Sequence, residues 1–418
     1  MHVLISGAGI AGPALAFFLA KTGARITVVE KAKALLPHGQ NVDVTGSAVT
    51  VLKRMGLLDQ VRRHNTKETG TQFISAKGQP FASFPITEGS SASLSSEFEI
   101  LRGDLAAILH NATKDHPNIE YMFDTTIQKV ASKEKDCVKV ELSSGETRQY
   151  DVLVAADGQW SKVRKQCFPS GAVTTVNKGM YVAYWTVPRL PTDNDMWNIY
   201  IALESRIVTI RPDPHGTVRA MMTIMPSNAA QEKEWLDAGR SDRQMQQKLV
   251  RRAFADAGWQ SQRLLDAMDQ APDFYFHVLE QIKMSKWSNK RVICLGDTAY
   301  APTPLTGAGT SLAILGAYML AGELSRLSEG EHPCRAFDAY EDRFRSFVEK
   351  TQEIPPMLPA MAHPGKAWTR WLLQTLIGTI ARIISIPWVR QKLGDATNEE
   401  DFPLPHYARI DDEFVKAG

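Results

Sequence analysis

The sequence contains few cysteines and almost no net charge. Its four cysteines, Cys137, Cys167, Cys294 and Cys334, lie far apart and show no C-x-x-C spacing. Neither a disulfide framework nor a metal site is therefore indicated, and we expect reduced thiols that are mostly buried. Lys and Arg total 48 against 46 Asp and Glu, which leaves a formal net charge of +2. This balance gives no electrostatic reason to expect a nucleic-acid partner.

The chain also shows neither a targeting segment nor a clear membrane span. Met1 leads directly into a strand pattern at His2–Ser6, with no basic and then apolar leader, so we predict a cytoplasmic location. The most apolar stretch, residues 368–389, includes Arg370 and Arg382. A spanning helix needs about 20 predominantly apolar residues without central charge. We favour a helix packed on the protein here, and a contact with a membrane surface stays open as the alternative.

Length and composition are typical of a folded chain with more than one domain. The 418 residues are 44% hydrophobic and 22% charged, which is ordinary for globular proteins. A chain of this length exceeds what one hydrophobic core usually supports. We therefore expect at least two closely packed domains and make no prediction of oligomeric state.

The first thirty residues have the pattern of a βαβ unit. An apolar run at His2–Ser6 is followed by Gly7-Ala-Gly-Ile-Ala-Gly12, and a helix is predicted over 13–22. A second strand, Arg25–Val29, is nearly continuous in apolar residues, as expected for a strand buried on both faces. Glu30 ends that strand. This context makes the glycine pattern informative, because the same pattern alone would be a weak signal.

Each residue of this motif has a physical reason to be there. Gly7 permits a tight turn, Gly9 lets the backbone approach a pyrophosphate, and Gly12 lets helix and strand pack closely. The helix N-terminus favours the anion. Glu30 can accept hydrogen bonds from ribose hydroxyls and would repel a 2′-phosphate. The motif therefore predicts a site for FAD or NAD and does not decide between them.

A second motif follows a later buried strand. Arg291-Val-Ile-Cys-Leu-Gly296-Asp297 places a carboxylate where a strand ends, and Pro304, Gly307 and Gly309 precede a predicted helix over 309–327. Such a carboxylate can accept a hydrogen bond from the ribityl chain of a flavin. The small residues let backbone approach a flat ring, and the helix N-terminus favours negative charge on reduced flavin. An ordinary strand-to-loop turn remains the alternative interpretation of this motif taken alone.

The central part of the chain changes character. Strand-like runs separated by Pro and Gly occur at 181–187, 198–203, 206–211 and 217–225, followed by a mainly helical region over 232–268. The return to a buried strand at residue 291 indicates that the nucleotide domain is discontinuous. Earlier in the chain, residues 47–63 are predicted to form one helix. The fold class predicted is α/β, with a Rossmann-like FAD-binding domain, an inserted antiparallel-sheet substrate domain and a C-terminal helix.

The predicted boundaries follow from this pattern. The FAD-binding domain is assigned residues 1–70, 98–178 and 275–330; the substrate domain, 71–97 and 179–274; and the C-terminal helical segment, 331–418.

The motifs together resemble the p-hydroxybenzoate-hydroxylase-type, or class A, FAD monooxygenases. The resemblance rests on Gly7–Gly12 with Glu30, on Asp157-Gly158, and on Gly296-Asp297 with Pro304-x-x-Gly-x-Gly309, which occur in the family's order. It covers residues 1–327. Within the family, the tetracycline-inactivating and natural-product flavin monooxygenases are most similar. Three segments suggest that branch: Gly39-Gln-Asn-Val-Asp43, Met55-Gly-Leu-Leu58 and Leu101-Arg-x-Asp-Leu105.

The resemblance implies roles for the matched positions. Gly7, Gly9, Gly12 and Glu30 would bind the ADP half of FAD. Arg102 would lie near the phosphates, although without the family a solvated cation at a helix start would be the simpler interpretation.

The remaining matched positions would surround the flavin half. Asp43 would lie near the flavin, and Asp157 would occupy a turn associated with both FAD and NADPH. Gly296 and Asp297 would hold the ribityl chain. Pro304, Gly307 and Gly309 would border the isoalloxazine ring.

Four positions in three places depart from the family pattern. Gly296-Asp-Thr-Ala-Tyr300 replaces the common G-D-A-A-H, Gly307-Ala-Gly309 replaces G-Q-G, and Ser311 stands where Asn is frequent. Ring packing and flavin movement are expected to differ as a result. FAD binding should persist, because Gly296, Asp297 and both later glycines are retained.

The resemblance also implies a reaction. NADPH or NADH reduces FAD, O₂ adds at flavin C4a, and the resulting hydroperoxide transfers one oxygen atom to an aromatic or polycyclic small molecule. The cofactor carries this chemistry, so no protein nucleophile is assigned. NADPH is the preferred reductant. The candidate substrate-pocket residues are Tyr184, Trp185, Arg206 and Arg211, and packing within the sheet is the alternative role for each.

Several other activities stay open. Baeyer–Villiger oxygenation or epoxidation could use the same flavin chemistry. A halogenase is disfavoured, because Trp185-Thr-Val-Pro188 does not match W-x-W-x-I-P. An NAD-dependent dehydrogenase would use the first motif but leave the others unexplained. A flavin-bearing interaction protein without catalytic activity is the remaining alternative.

Overall fold

A computed structural model describes residues 1–35, 39–86, 98–133, 137–355, 357–386 and 401–411. The strands are β1 His2–Ser6, β2 Arg25–Val29, β3 Asn41–Asp43, β4 Gly70–Ile74, β5 Pro80–Pro85, β6 Glu99–Leu101, β7 Ile119–Met122, β8 Ile127–Lys133, β9 Val138–Leu142, β10 Thr147–Tyr150, β11 Val152–Ala155, β12 Val173–Pro188, β13 Trp197–Ile201, β14 Arg206–Pro212, β15 Thr217–Ile224, β16 Tyr275–Met284, β17 Ser288–Asn289 and β18 Val292–Cys294. The α-helices are α1 Ala11–Ala20, α2 Ser47–Arg54, α3 Leu58–Arg63, α4 Arg102–Asn111, α5 Lys162–Cys167, α6 Ala229–Ala238, α7 Arg243–Phe254, α8 Ser261–Met268, α9 Asp297–Tyr300, α10 Gly309–Ser325, α11 Cys334–Thr351, α12 Leu358–Ala362, α13 Ala367–Ile384 and α14 Ala408–Asp411.

A six-stranded sheet forms the nucleotide-binding half of the molecule. Its order is β17-β18-β11-β1-β2-β7, and every pairing is parallel except that of the edge strand β17. The residues of β11 are all buried, as expected for a strand of a parallel sheet that is covered on both faces. The predicted α/β fold with an FAD-binding sheet and an antiparallel sheet is confirmed.

A seven-stranded sheet forms the other half. Its order is β16-β12-β15-β14-β13-β4-β5, and only the β13–β4 pairing is parallel. Helices α6, α7 and α8 supply buried side chains to a core on one face, together with Trp185 and Val208 from the sheet. Alternation along the strands sends the neighbouring residues to the opposite face.

The predicted domain division remains a prediction, but strand pairing bears on its limits. Strand β16 pairs with β12 in the seven-stranded sheet, although residues 275–284 were assigned to the FAD-binding domain. Strand β12 begins at residue 173, before the predicted start at 179. Helix α11 packs in the core of the parallel sheet, although it was assigned to a C-terminal segment. Residues 87–97, which the prediction placed in the substrate domain, lie outside the described residues.

The single helix predicted over 47–63 is wrong. The chain forms α2 and α3, separated by Gly56 with a φ of 70°. A left-handed glycine ends α2, and Leu57 then packs into the core. Hydrophobic spacing alone does not reveal such a break, because both helices bury the same side.

The described segment 357–386 packs against the seven-stranded sheet. His363 is buried, and its Nε2 lies 2.8 Å from the Thr223 hydroxyl on β15. Further along, a Cβ on Gly378 of α13 would lie 3.8 Å from the Phe81 ring on β5. The packed helix expected for residues 368–389 thus occurs as α13, and residues 387–389 lie outside the described part. None of the described helices is long and apolar enough to cross a membrane.

Candidate active site

The Gly-rich loop joins β1 to α1 in a space that admits no side chain at two positions. Gly7 has a φ of 112°, and a Cβ there would lie 2.4 Å from the Ala156 carbonyl oxygen. A Cβ on Gly12 would lie 2.0 Å from the Gly7 carbonyl oxygen. The loop is thereby pressed between its own helix and the end of β11.

Two features prepare this loop for an anion and a ribose. Helix α1 has no side-chain cap and no acidic residue in its first turn, so its first N–H groups are available to a ligand. The Glu30 carboxylate accepts hydrogen bonds from the Ala8 N–H at 2.9 Å and the Ala32 N–H at 3.0 Å. These bonds fix the carboxylate beside the loop, and each oxygen retains a lone pair for a ribose hydroxyl.

Arg102 reaches the same loop from a different element. It is the first residue of α4, and its own N–H donates to the Gln40 carbonyl oxygen at 3.0 Å. A Cβ on Gly9 would lie 3.6 Å from the Arg102 guanidinium. The side chain is exposed and places a positive charge over the loop, where a pyrophosphate would lie.

The Asp157-Gly158 turn follows β11 and is tied to the second motif. The Gly158 N–H donates to the Thr298 hydroxyl at 2.9 Å. Asp157 Oδ2 accepts from the Lys162 N–H at 3.1 Å, whereas its buried Oδ1 has no hydrogen-bond partner. Burial raises the pKa of Asp157 above its ordinary value. An unpartnered buried carboxylate oxygen is costly and is the kind of group that a ligand satisfies.

Arg164 joins these two motifs, and no sequence pattern of its own marks it. Its guanidinium is buried and donates to the Thr298 and Gln159 carbonyl oxygens, each at 2.6 Å. The signal available was its place seven residues after Asp157. Arg164 therefore acts as a positioning residue for the turn.

Gly296 and Asp297 lie where β18 meets α1 and α10. A Cβ on Gly296 would be 3.2 Å from the Ala11 side chain. Asp297 is exposed to solvent, although protein atoms lie close around its carboxylate. Burial raises the pKa of Asp297, and the positive charge of Arg102 partly opposes that rise. Arg102 and Asp297, which are both predicted to bind FAD, thus lie close enough to interact electrostatically.

The backbone after Asp297 is held in an unusual conformation. Thr303 has a φ of 79° and Gly307 a φ of 65°, on either side of a 3₁₀ turn at Pro304–Thr306. Helix α10 then begins at Gly309 without a side-chain cap. Its first N–H groups therefore have no side-chain cap and can face an electron-rich ring.

Two buried glutamines hold this loop, and no sequence motif marks them. Gln281 Nε2 donates to the Pro302 carbonyl oxygen at 3.1 Å and to the Gln352 carbonyl oxygen at 2.7 Å. Gln352 Nε2 donates to the Ala301 carbonyl oxygen at 3.1 Å. Buried amide side chains of this kind stabilise a loop that lacks regular pairing.

Two of the departures from the family pattern have structural explanations. Tyr300, in place of the common His, is buried, and its hydroxyl lies 2.8 Å from that of Tyr340. Ser311, in place of Asn, accepts a hydrogen bond from the Thr45 N–H at 3.0 Å. This bond links the N-terminal turn of α10 to the loop that follows Asp43.

Asp43 and Arg211 lie on the same side of the molecule. Arg211 is ion-paired with buried Glu68 at 2.8 Å and with buried Glu99, and its guanidinium lies 4.2 Å from the Trp197 ring centre. Burial alone would lower the pKa of Arg211, but Glu99, Glu68 and Asp43 together raise it. Asp43 therefore lies close enough to act on this cluster. Arg211 therefore has ion-pair and ring partners within the protein, in addition to its position near the cleft.

The candidate substrate residues divide between the two faces of the seven-stranded sheet. Tyr184 packs with Met180, Val182 and Leu279 and with Leu305 from the 3₁₀ turn. It therefore lies on the face of the sheet that is turned toward this turn. We call this the cleft face, and the space beside it the cleft. The structure does not bring Trp185 to this face, since its indole N–H donates to the Leu264 carbonyl oxygen on the helical side.

Arg206 also lies away from the cleft. Its buried guanidinium donates to Asp256 at 2.6 Å and to the Ala253 carbonyl oxygen. Both partners belong to the helical layer. Period-two alternation along β14 places Arg206 and Arg211 on opposite faces, which a list of strand residues alone does not show.

A Tyr–His pair on β16 completes the cleft and was not selected from the sequence. The Tyr275 hydroxyl lies 3.2 Å from Nδ1 of His277. These residues are cross-strand neighbours of Tyr184 and Val182, so they share the cleft face. Burial lowers the pKa of His277 to about 4, and the charge of Arg102 contributes. The imidazole is therefore neutral at physiological pH.

These residues fit FAD. The Gly-rich loop with Glu30 suits an adenosine and pyrophosphate, and Arg102 supplies a cation at the loop. Asp157 offers an unpartnered buried oxygen. Beyond Asp297, a loop without regular pairing and an uncapped helix N-terminus border an apolar surface, as a flat, electron-accepting ring requires.

Comparison with known proteins agrees with this geometry. The chain matches the FAD binding domain family over residues 1–354. Monooxygenase CTB7 of Cercospora beticola is 34% identical over 420 aligned residues, which cover 97% of each chain. FAD-dependent monooxygenase asL4 of Sarocladium schorii is 33% identical and covers 84% of this chain and 85% of its own. The crystal structure of tetracycline destructase Tet(51) superimposes with a TM-score of 0.78 at 26% identity, covering 97% of this chain and 99% of the other.

Fold and site together define an FAD-binding α/β oxidoreductase. The chain belongs to the FAD-dependent monooxygenase family. The resemblance identified from the motifs is thereby confirmed, as is FAD in preference to NAD as the resident cofactor. Use of NAD(P)H as reductant is typical of this class.

Proposed function

We propose that the protein inserts one oxygen atom of O₂ into an aromatic or polycyclic small molecule, with hydroxylation as the outcome and NADPH as reductant. The supporting observation is the contact of Leu305, in the turn that would border the flavin, with the apolar cleft face of the seven-stranded sheet. A substrate between turn and sheet would meet methionine, leucine and tyrosine side chains. Such a surface suits a flat apolar ring system.

The protein's own part in this reaction is to bind, orient and exclude water. Bound FAD supplies the oxygen chemistry once it is reduced. Gly7, Gly9, Gly12 and Arg102 would hold its phosphates, and Glu30 its ribose. The apolar cleft face would keep water from the reacting ring.

The flavin half would be held by different elements. Asp297 would accept from the ribityl chain, while Gly296, Pro304, Gly307 and Gly309 would let the ring lie close to backbone. The unpartnered Oδ1 of Asp157 would accept a hydrogen bond from the cofactor, and Asp43 would lie near the ring.

Tyr184 and the Tyr275–His277 pair would contact the substrate. At neutral pH the neutral imidazole can hold a proton on one nitrogen and accept one on the other, next to the Tyr275 hydroxyl. Trp185 and Arg206 would support the sheet from its far side, and Arg211 would brace the sheet against Glu68 and Glu99. The cytoplasm is the proposed location.

The first experiment is a visible absorption spectrum of the purified protein, followed by anaerobic addition of NADPH or NADH. We expect flavin bands that bleach faster with NADPH and return with air. A colourless protein that cannot be reconstituted with FAD would contradict the proposal. Equal or faster bleaching with NADH would overturn only the choice of reductant.

A second experiment tests the substrate class. A panel of phenols and polycyclic phenols, with tetracycline as one probe, is incubated with NADPH under ¹⁸O₂, and products are analysed by mass spectrometry. We expect one ¹⁸O atom in an accepted substrate. Tyr184→Ala should raise KM with flavin content unchanged, whereas Tyr275→Phe tests the paired hydroxyl. If Tyr184→Ala leaves KM unchanged for every accepted substrate, the cleft assignment is wrong.

A further inference from the structure

Helix α13 exposes an unusual amount of apolar surface. Trp368 is 63% exposed, Trp371 66% and Leu376 50%, and none of the residues of α13 is buried. A helix on a folded protein normally turns its large apolar residues toward the core. Large contiguous apolar patches on a protein surface mark sites of interaction.

The exposed residues share one side of the helix. At 100° per residue they fall within a half-turn, which we call the outer face. The apolar residues of the outer face are Trp368, Trp371, Leu372, Leu376, Ile380 and Ile383, each at least 40% exposed, and Thr375, Thr379 and Arg382 share the same half-turn.

The opposite side of α13 is attached to the protein. Leu373 and Ile377 on that side are partly buried, and Gly378 approaches the Phe81 ring on β5. The preceding His363–Thr223 hydrogen bond fixes the start of the segment. The orientation of the outer face is therefore set by contacts on its reverse side, and the face points outward.

The charge around α13 has one sign. Residues 354–394 contain five Lys or Arg and no Asp or Glu, in a chain whose net charge is only +2. Lys366, Arg370 and Arg382 lie within the described part, at or along α13. Cations beside an apolar helical face with tryptophans are typical of helices that lie in the interface of an anionic bilayer.

We propose that the outer face of α13 rests on an anionic membrane surface. The helix lies in the plane of the interface, with its apolar side chains among the acyl chains and its cations at the headgroups. It does not span, in keeping with the absence of a spanning helix from the described chain. A second copy of the chain offers Arg382 no carboxylate from residues 354–394, so an anionic surface suits this face better than a two-fold contact would. This proposal does not rest on the proposed reaction.

The test is flotation of the full-length FAD-loaded protein with lipid vesicles. We expect binding to vesicles of phosphatidylcholine mixed with phosphatidylglycerol, a blue shift of tryptophan fluorescence, and weaker binding at high salt. Trp371→Ser combined with Leu376→Ser should weaken binding by more than about tenfold, because two large apolar side chains are removed from the interface. Arg382→Gln should weaken it by roughly fivefold, from the loss of one cation near the surface.

A matched control comes from another part of the surface. Met245→Ser changes an apolar residue on α7 that is 55% exposed and should leave vesicle binding unchanged. Flavin absorbance and melting temperature of each variant establish that it is folded. The proposal is overturned if the wild-type protein does not float, or if Met245→Ser reduces binding as much as the outer-face variant. It is also overturned if sedimentation shows a dimer that the outer-face variant dissociates in the absence of lipid.

Discussion

Gly12 gives the sharpest test at the scale of single residues. A Cβ at this position would lie 2.0 Å from the Gly7 carbonyl oxygen, a distance that real contacts do not show. We expect Gly12→Ala to push α1 away from the loop and to lower the free energy of unfolding by about 1–3 kcal/mol, as overpacking does. The flavin-to-protein absorbance ratio should fall with it. Both quantities are measured on the purified variant, by spectroscopy and by denaturant unfolding.

Gly171→Ala is the control for this substitution. Gly171 has no neighbour within 4 Å of a built Cβ and lies outside the left-handed region. It should keep full flavin content and stability. Equal effects of the two substitutions would show that Gly12 has no special role.

Arg102 tests the assignment of the pyrophosphate position. Removal of a cation that lies over the loop removes a charge-assisted contact of about 1.5–3 kcal/mol. We therefore expect Arg102→Met to weaken FAD binding by roughly 10- to 100-fold, measured by titration of the apoprotein with FAD. Arg335→Met, which breaks an exposed ion pair with Glu331 on α11, should leave FAD affinity unchanged. Unchanged affinity in Arg102→Met would place the phosphates elsewhere.

Arg164 tests whether the two motifs act as one unit. Lysine cannot donate in two fixed directions to the Thr298 and Gln159 carbonyl oxygens, so Arg164→Lys should lower the free energy of unfolding by about 3 kcal/mol. The Asp157 turn would loosen at the same time, and the flavin fluorescence of the variant should rise as FAD is held less firmly. Full stability and unchanged fluorescence would mean that water replaces the guanidinium without cost.

At the scale of elements, periodicity predicted most strands and missed features that depend on three dimensions. The run Arg25–Val29 is nearly continuous in apolar residues, and the strand has the predicted limits. The helix over 47–63 was wrong because Gly56 adopts a conformation that residue spacing does not encode. Arg206 was grouped with Arg211 because both lie on β14, although alternation sends them to opposite faces. The position of β14 in the sequence was thus predictable, whereas the structural layer that packs against each of its faces was not.

The attachment of the C-terminal segment is also an element-scale feature, and it gives a pH dependence. Burial lowers the pKa of His363 to about 4 from an ordinary 6.5, while its Nδ1 lies 2.9 Å from the Pro359 carbonyl oxygen. The unfolded chain therefore binds a proton between pH 6.5 and 4 that the folded chain does not. Stability is retained above this window and lost as pH falls through it. The upper bound is about 3 kcal/mol from this residue.

The measurement is urea unfolding at several pH values for the wild type and two variants. His363→Gln should flatten the loss of stability between pH 6.5 and 4. Thr223→Val removes the hydroxyl partner but leaves the imidazole, so it should lower stability at every pH and keep the slope. His277 titrates in the same direction in all three proteins and does not affect the comparison. A slope unaltered by His363→Gln would assign the effect to other groups.

At the scale of the whole molecule, the sequence predicted the cofactor better than it predicted the cleft. The residues that bind a dinucleotide must recur at fixed spacings, because one loop and one helix N-terminus form most of that site. The cleft instead joins β12, β16 and the turn at Pro304–Thr306, which are far apart in sequence. His277 and Gln281 carry no motif and became visible only once β16 was seen beside β12. Sites made by tertiary pairing therefore need the structure.

The spread of the FAD-binding residues along the chain also predicts how strongly FAD stabilises the fold. The cofactor would bridge Glu30, Arg102, Asp157 and Asp297, which come from separate parts of the chain, so the folded state binds it and the unfolded chain does not. At FAD concentrations 100-fold above Kd, stability should rise by about 2.7 kcal/mol. For a chain of this length that corresponds to roughly 3 °C in the melting temperature. We expect deflavinated protein to melt earlier and to recover with added FAD, as measured by thermal denaturation.

FMN is the matched control, because it lacks the adenosine that Glu30 and the Gly-rich loop would bind, and it should restore little. Equal recovery with FMN would mean that the adenosine half contributes nothing to the folded state, and the Gly-rich loop would then need another ligand.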